Sequence, residues 1–306
     1  MSTPSEPPVH SVRRREFLTW TGAALAGASL GAIPLVSGSQ ALAADAAPAG
    51  RKRSLRLAHM TDMHVQPELA AGEGMAAALK HVQSISDPPE LILGGGDMVM
   101  DVSEADAARA KAQWDIWQSV LKQECSLPIQ HCIGNHDVWG WNKVASKTTS
   151  KEPGWGKQQA IDKLGLSGRY YGFDRGGWRV LVLDSIYADP QNVYIARLDE
   201  EQFEWLTAEL KRIPAKTPVM LLSHIPILSV AVVEFRQAIE QNPRQSLGAT
   251  HSDAQRIVRL LKQHPNVKAA ISGHLHMTER IEYAGITYLC GGVEGRYVAY
   301  GWKARD

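Results

Sequence analysis

Five stretches of this chain end in side chains that can bind metal ions. Asp62-Met63-His64, Gly96-Asp97, Gly134-Asn135-His136-Asp137, Ser223-His224 and Gly273-His274-Leu275-His276 each bring Asp, Asn or His just after a short apolar run. Imidazole nitrogen suits zinc, manganese and iron alike, and a carboxylate has two oxygens with which to bridge a pair of such ions. In Asp-x-His and His-x-His an extended chain turns alternate side chains to one side, so both are expected to reach one ion. The glycines at 96, 134 and 273 are expected to let the backbone turn sharply and approach closely. A metal pair is consistent with this donor set.

The apolar runs must then be strands. Leu55–Met60, Leu91–Leu93, Ile129–Ile133, Val219–Leu222 and Val267–Ile271 are short, apolar and rich in Leu, Ile and Val. Helical periodicity separates them over Met75–Ile85, Ala105–Leu121, Leu198–Leu210 and Ala254–Lys262. Tyr170–Phe173 and Arg179–Leu183 read as a β pair joined across Gly176-Gly177, and further short strands are expected at Arg280–Tyr283, Ile286–Leu289 and Tyr297–Trp302. Strand–helix alternation followed by antiparallel strands predicts two packed sheets flanked by helices. The polar clusters all fall past the carboxyl ends of strands, where ligands bind in open α/β sheets.

Taken in order, D-x-H, G-D, G-N-H-D, a lone His and G-H-x-H resemble the calcineurin-like metallophosphoesterase family over about residues 55–290. Leu198-x3-Gln202-x2-Trp205-Leu206 also looks like a helix of its bacterial members, and the chain looks closest to cyclic-nucleotide phosphodiesterase-like ones. The resemblance implies a four-layer α/β/β/α sandwich of two mixed sheets. It implies two divalent or trivalent ions (Mn, Fe or Zn), with Asp62, His64 and His276 on the first and Asn135, His224 and His274 on the second. Asp97 would bridge them, and His136 would stand outside the metal shell beside the leaving group as proton donor. The implied reaction is hydrolysis of a small phosphoester, diester or monoester, by a metal-bound hydroxide. Many members carry an Asp that orients the catalytic His, or a Tyr that binds ferric iron, three residues after the bridging Asp. Met100 stands there in this chain, which argues against a purple-acid-phosphatase type of site and leaves Asp101 or a backbone carbonyl to orient His136. The competing class is a metal-free binding or scaffold module on the same fold, which usually betrays itself by missing ligands; none is missing here.

Residues 1–43 read as an export signal. Arg13-Arg14-Arg15 precedes Glu16-Phe17-Leu18 and a Gly/Ala-rich apolar run from Trp20 to Val36, with Ala41-Leu42-Ala43 as a cleavage candidate and Ala44-Asp45-Ala46 as a second. The pattern resembles a twin-arginine signal, which makes the translocase a partner and the periplasm or the exterior the destination. A membrane anchor is the alternative, disfavoured by the short run and by Pro34. Residues 44–53 read as a linker and residues 54–306 as the catalytic domain. The formal charge of the 306 residues is +1, and removing the signal leaves 30 basic and 30 acidic residues, so nothing points to stable nucleic-acid binding. Export argues against a role in intracellular cyclic-nucleotide signalling. The three cysteines exclude a fully paired framework; a Cys125–Cys132 bridge and buried free thiols are both open.

Other residues have plainer readings. His59 and His131 lie within strands and are expected in the core, His81, His251 and His264 on the surface, and Asp184 as a turn acceptor. Trp114, Trp117 and Trp205 sit at helical spacing among apolar residues and belong to the core. From Val138 to Lys157, Trp139, Trp141 and Trp155 alternate with Lys143, Lys147, Lys151 and Lys157. A solvated basic loop and a lid over the leaving group are both open for that stretch. Residues 227–250, with Arg236 and Arg244, are a second candidate rim.

Overall fold

Side-chain alternation along three strands assigns their residues to separate layers. The computed structural model describes residues 54–190, 193–234 and 247–292, all within one unit that starts at Lys52. One sheet holds parallel strands β1 (Leu57–Met60), β2 (Leu91–Gly94) and β3 (Ile129–His131) in that order. The other holds β4 (Tyr171–Arg175), β5 (Trp178–Val182), β8 (Val219–Leu222), β9 (Val267–Ser272), β10 (Glu279–Tyr283) and β11 (Ile286–Cys290) in the order β10-β11-β9-β8-β5-β4. Its centre β5-β8-β9-β11 is parallel and its edge strands β4 and β10 are antiparallel.

On β5, Val180 and Val182 pack with Leu91 and Leu93 of β2 and Met220 and Leu222 of β8, which is the layer between the sheets. Leu181 of β5 and Val219 and Leu221 of β8 point the other way, into a cluster with Leu206 and Leu210 of α5 (Glu200–Arg212) and Ile257 and Leu261 of α7 (Ala254–Leu261). Ile92 of β2 faces Met75 and Leu79 of α1 (Ala71–Ser84) and Trp114 and Trp117 of α2 (Ala107–Glu124). Strands buried on both faces read as continuous apolar runs, which is why period-two alternation is absent from the sequence. The result is the four-layer α/β/β/α sandwich. Asp106 and Asp199 start α2 and α5 by accepting the backbone N–H of Arg109 and Gln202.

The sequence reading missed the hairpin of β6 (Ile186–Asp189) and β7 (Val193–Ala196), whose strands are too short and mixed to carry a pattern. It also missed α4 (Lys157–Leu164), preceded by the single turn α3 (Lys143–Ser146), and the short turn α6 (Ala231–Glu234). Lys143, Lys147 and Lys151 of residues 138–157 are exposed, as a solvated basic loop has them, but the rest of the stretch is anchored. The indole N–H groups of Trp139 and Trp155 donate to the carbonyls of Ala105 and Gly140, and Lys157 ion-pairs with buried Asp184, so this stretch is pinned from within. Arg169 shares Asp184, which with Gln202 ties α4 and α5 to the end of β5.

His59 and His131 are interior, as read, and burial lowers each to about 4, so both are neutral. His251 is a correction: it is buried, with Nδ1 held 3.0 Å from Asp253 Oδ1, because Asp253 also accepts the N–H of Leu198 and draws the turn inward. All three cysteines are free thiols. The export signal and linker, the strand expected at Tyr297–Trp302 and the arginines 236 and 244 lie outside the described residues.

Candidate metal centre

The backbone brings the five loops together before any side chain does. Asp62 and His64 N–H donate to the carbonyls of Gly96 and Asp97, Gly95 N–H to Met60, and Gly273 N–H to His224. Asp137, the last residue of G-N-H-D, is a buried clamp: its carboxylate accepts from Met98, Val99 and Gly134 N–H and so locks the β2 and β3 loops together. Gly134 is needed for space rather than for turning. A Cβ there would lie 2.1 Å from both the nitrogen and Oδ1 of Asp97.

Five of the candidate ligands have left-handed backbones: Asp62, Asp97 and the histidines at 64, 274 and 276, with φ of 55°, 53°, 47°, 72° and 55°. This corrects the extended backbone expected for both motifs: Asp62 and His64 still reach one cluster, whereas His274 and His276 do not. Such conformations cost about 1–3 kcal/mol each in non-glycine residues and gather at functional sites. Their effect is to send His274 and His276 into two different clusters instead of onto one ion.

The first cluster joins Asp62, His64 and His276. His276 Nε2 lies 3.2 Å from Asp62 Oδ1 and 3.0 Å from His64 Nε2. Thr61 Oγ1 donates to Asp62 Oδ2 at 2.6 Å, and His274 N–H donates to the same carboxylate. The second cluster joins Asp97, His224 and His274. His224 Nε2 lies 3.2 Å from Asp97 Oδ2, 3.1 Å from Asn135 Oδ1 and 3.3 Å from His274 Nδ1. Asp97 stands between the clusters. Its Oδ1 accepts His136 N–H at 2.8 Å, which leaves Oδ2 facing His224 on one side and His64, 3.9 Å away, on the other. A third overlapping group, His64, Asp97 and His136, brings the predicted proton donor to the rim of the pair.

The donors fit two metal ions. Each group's nitrogens and oxygens lie within 4.8 Å of one another, and the third group, which takes His64 from the first and Asp97 from the second, links the two. Burial lowers His64 to about 4 and His274 to about 3, so both present neutral imidazoles, the form that ligates. Burial is the largest influence on His224 and acts to lower it, but the charge and hydrogen bond of Asp97, the charge of Asp62 and the Gly95 carbonyl together outweigh it and raise His224 to about 9. Its Nδ1 sits 2.8 Å from the carbonyl of Gly95, which turns Nε2 into the site; ligating histidines are commonly held this way.

Asp101 stands beside His136. Asp101 Oδ2 lies 3.6 Å from His136 Nδ1. Asp101 is itself held by Ser103 through Oδ1 and by buried Gln113 of α2, which accepts its N–H and donates to its carbonyl. This is the neighbour the sequence offered in place of Met100. Tyr194 on β7 was missed. Its ring packs against the cluster of Ile133, Val138 and Ile225, which border the Asn135 and His224 loops. Burial, and then the charges of Asp97 and Asp101, push its phenol up, so the hydroxyl is neutral and within their electrostatic reach. No local sequence signal marks it, because it arrives on the unpatterned hairpin.

With this geometry established, comparison with known proteins defines the class. Residues 55–278 match the calcineurin-like phosphoesterase family, and the chain belongs to it. It is a metal-dependent phosphoester hydrolase. A 3′,5′-cyclic-nucleotide phosphodiesterase of Nostoc sp. is 24% identical over 248 residues, covering 78% of this chain and 77% of that protein. Among solved structures, a dimetal phosphatase of Danio rerio is similar with TM-score 0.56 and 15% identity over 79% of this chain and 88% of its own. A phosphopantetheinyl hydrolase of Mycobacterium tuberculosis aligns at 16% identity over 79% and 91% of the two chains, with TM-score 0.44.

Proposed function

We propose that the chain hydrolyses phosphodiesters, with Asp62, His64 and His276 holding one metal ion, Asn135, His224 and His274 a second, and Asp97 both. The observation that carries this reading is the Asp97 carboxylate, which turns one oxygen to both clusters while its other oxygen is occupied by His136 N–H. A metal pair supplies Lewis-acid neutralisation of phosphate oxygens and acidifies water. The remaining work falls to the protein. Thr61 and His274 N–H hold Asp62, Gly95 carbonyl aims His224, and Asp137 keeps the Asp97 and Asn135 loops in register.

His136 is the proton donor in this reading. Its Nε2 lies 3.8 Å from Asp97 Oδ2, on the rim of the pair, where it can protonate the departing alkoxide. Asp101 faces its other nitrogen across 3.6 Å, and a shift of under about 1 Å would close that gap to a hydrogen bond that orients the ring. A diester is favoured over a monoester by the relative from Nostoc sp., whose name is that of a diesterase.

The twin-arginine pattern at Arg13-Arg14 supports export of the enzyme to the periplasm or beyond, where scavenging of phosphate or action on envelope phosphoesters fits the address. Metal analysis of purified protein, with bis-p-nitrophenyl phosphate and p-nitrophenyl phosphate as paired substrates, tests the reading. Two ions per chain and faster diester turnover are expected. Protein that stays metal-free and inactive after reconstitution with Mn, Fe and Zn would return the scaffold alternative.

A further inference from the structure

Four residues of α2 are buried, and Gln113 is the polar one; Ala110, Trp114 and Trp117 are the others. An apolar side chain is the ordinary occupant of such a stripe, and a buried amide weakens a fold unless both its ends are bonded. Gln113, 1% exposed, uses both ends on a single residue. Its Oε1 accepts the N–H of Asp101 at 2.9 Å and its Nε2 donates to the Asp101 carbonyl at 3.0 Å. Asp101 is thereby gripped on both sides of its Cα. Seating α2 does not require this grip: Trp114 and Trp117 already pack with Met75, Leu79 and Ile92, and the Trp114 indole N–H donates to Gln159.

The carboxylate of Asp101 is held as firmly as its backbone. Its Oδ1 accepts both the N–H and the hydroxyl of Ser103, at 2.8 and 2.7 Å, which leaves Oδ2 to face His136 Nδ1. His136 is fixed at its backbone too: its N–H donates to Asp97, and its carbonyl accepts Val102 N–H at 2.9 Å. The ring is what remains to be set. Its Nε2 looks toward Asp97, and its Nδ1 is buried with no hydrogen-bond partner. A buried polar atom is costly to leave unmet, and Asp101 Oδ2 is the acceptor that faces this one.

We infer that Gln113 is a positioning residue for the hydrolytic reaction, acting with Ser103 through Asp101 to set the His136 ring. The inference rests on the proposed role of His136 as proton donor and adds the residue of the outer helix layer that aims it. Both polar ends of Gln113 are engaged by Asp101 and not by a candidate metal ligand, so its loss should leave the ions in place. Proton delivery is what should change. A mis-set ring slows the departure of alkoxides that need a proton and matters less for those that do not.

The test compares diphenyl phosphate, whose leaving phenolate benefits from a proton, with bis-p-nitrophenyl phosphate, whose leaving group needs none. Gln113→Met keeps the length of the side chain and removes both polar ends. It should lower kcat for the first ester by about 5–10-fold and for the second by less than about 2-fold, with elemental analysis still finding two ions. Ser103→Ala should act in the same direction by about 2–3-fold, because the Ser103 N–H remains. In an Asp101→Asn background Gln113→Met should add less than about 2-fold, since both act on one ring. Equal losses for the two esters, no loss, or a full multiplicative loss in the double variant make Gln113 a packing residue and overturn the inference. Should Gln113→Met fail to fold, Ser103→Ala carries the same comparison, and equal or absent losses there overturn it. A readout free of turnover is the proton–nitrogen spectrum of the imidazoles in the zinc-loaded enzyme. The His136 Nδ1–H signal, assigned by its loss in His136→Ala, should exchange slowly in the wild type and fast in Gln113→Met. An unprotected signal in the wild type overturns the inference. Protection in protein that hydrolyses neither ester would instead remove the phosphodiesterase reading and leave the Gln113–Asp101–His136 arrangement standing.

Discussion

The two halves of the candidate centre are built to different standards. Around Asp97, His224 is completely buried, aimed by the Gly95 carbonyl and charged, with Asn135 and His274 within 3.3 Å of its Nε2. Around Asp62, the histidines are the open part: His276 is 23% exposed and His64 10%, and His64 Nδ1 has no hydrogen-bond partner. The first half is preorganised by the protein and the second is left to be organised by its ion. Preorganisation removes the ordering term from binding, so the buried half should bind more tightly and exchange more slowly.

Asp97→Ala should have the largest effect, because it removes the one side chain common to both halves. Metal content should fall from two ions to none, with activity lost by more than about 10³-fold. Retention of one ion would show that the halves are independent. His136→Ala should lower kcat by about 10²–10⁴-fold while elemental analysis still finds two ions, since His136 touches both halves through Asp97 and holds neither. Full activity would remove it from the mechanism. Asp101→Asn should follow at about 10-fold in kcat, larger for esters of poor leaving alcohols than for p-nitrophenyl esters, where the departing group needs no proton.

The open half is sharpened by Thr61→Val, which deletes the hydroxyl bound to Asp62. Affinity for one ion alone should drop about 10–100-fold, measured by competition with a chelating dye. Equal weakening of both ions would contradict the division. The smallest effect is a proton count. His224, raised to about 9, is protonated at pH 7 in the metal-free protein and must be neutral to ligate. Loading the buried half should therefore release about one proton and strengthen as pH rises toward 9, visible by calorimetry in buffers of different ionisation enthalpy. The open half, with His64 already neutral, should release fewer. Identical buffer dependence for both would remove the electrostatic part of the comparison.

Legibility in the sequence followed the same line between local and distant causes. The strands β1, β2, β3, β8 and β9 and the helices α1, α2, α5 and α7 were readable because apolar runs and helical periodicity are properties of a few consecutive residues. Edges were not. Helix α1 starts at Ala71 rather than Met75, since packing against α2 extends it beyond its periodic stretch. Hairpin β6–β7 carries no pattern because it is held by contacts to other elements, among them Ile225 N–H to Ser185 Oγ and Ser252 to the Ala196 carbonyl. His251 was misread for the same reason: its partner Asp253 is near, but what buries both is remote.

By itself the sequence determined the donor types, their order and their placement after strands, because a metal pair needs carboxylate and imidazole on short rigid tethers and apolar runs make those tethers. Tertiary structure decided which donors stand together, in the division that the family resemblance had implied and that the extended-chain reading had not. His274 and His276 are one residue apart in sequence and belong to different halves, because left-handed backbone at both, imposed by loops bonded across two sheets, overrides the alternation an extended chain would give. The same packing decided which half is buried, since His224 lies under the Gly95 and Gly96 loop of the other sheet while His276 faces solvent.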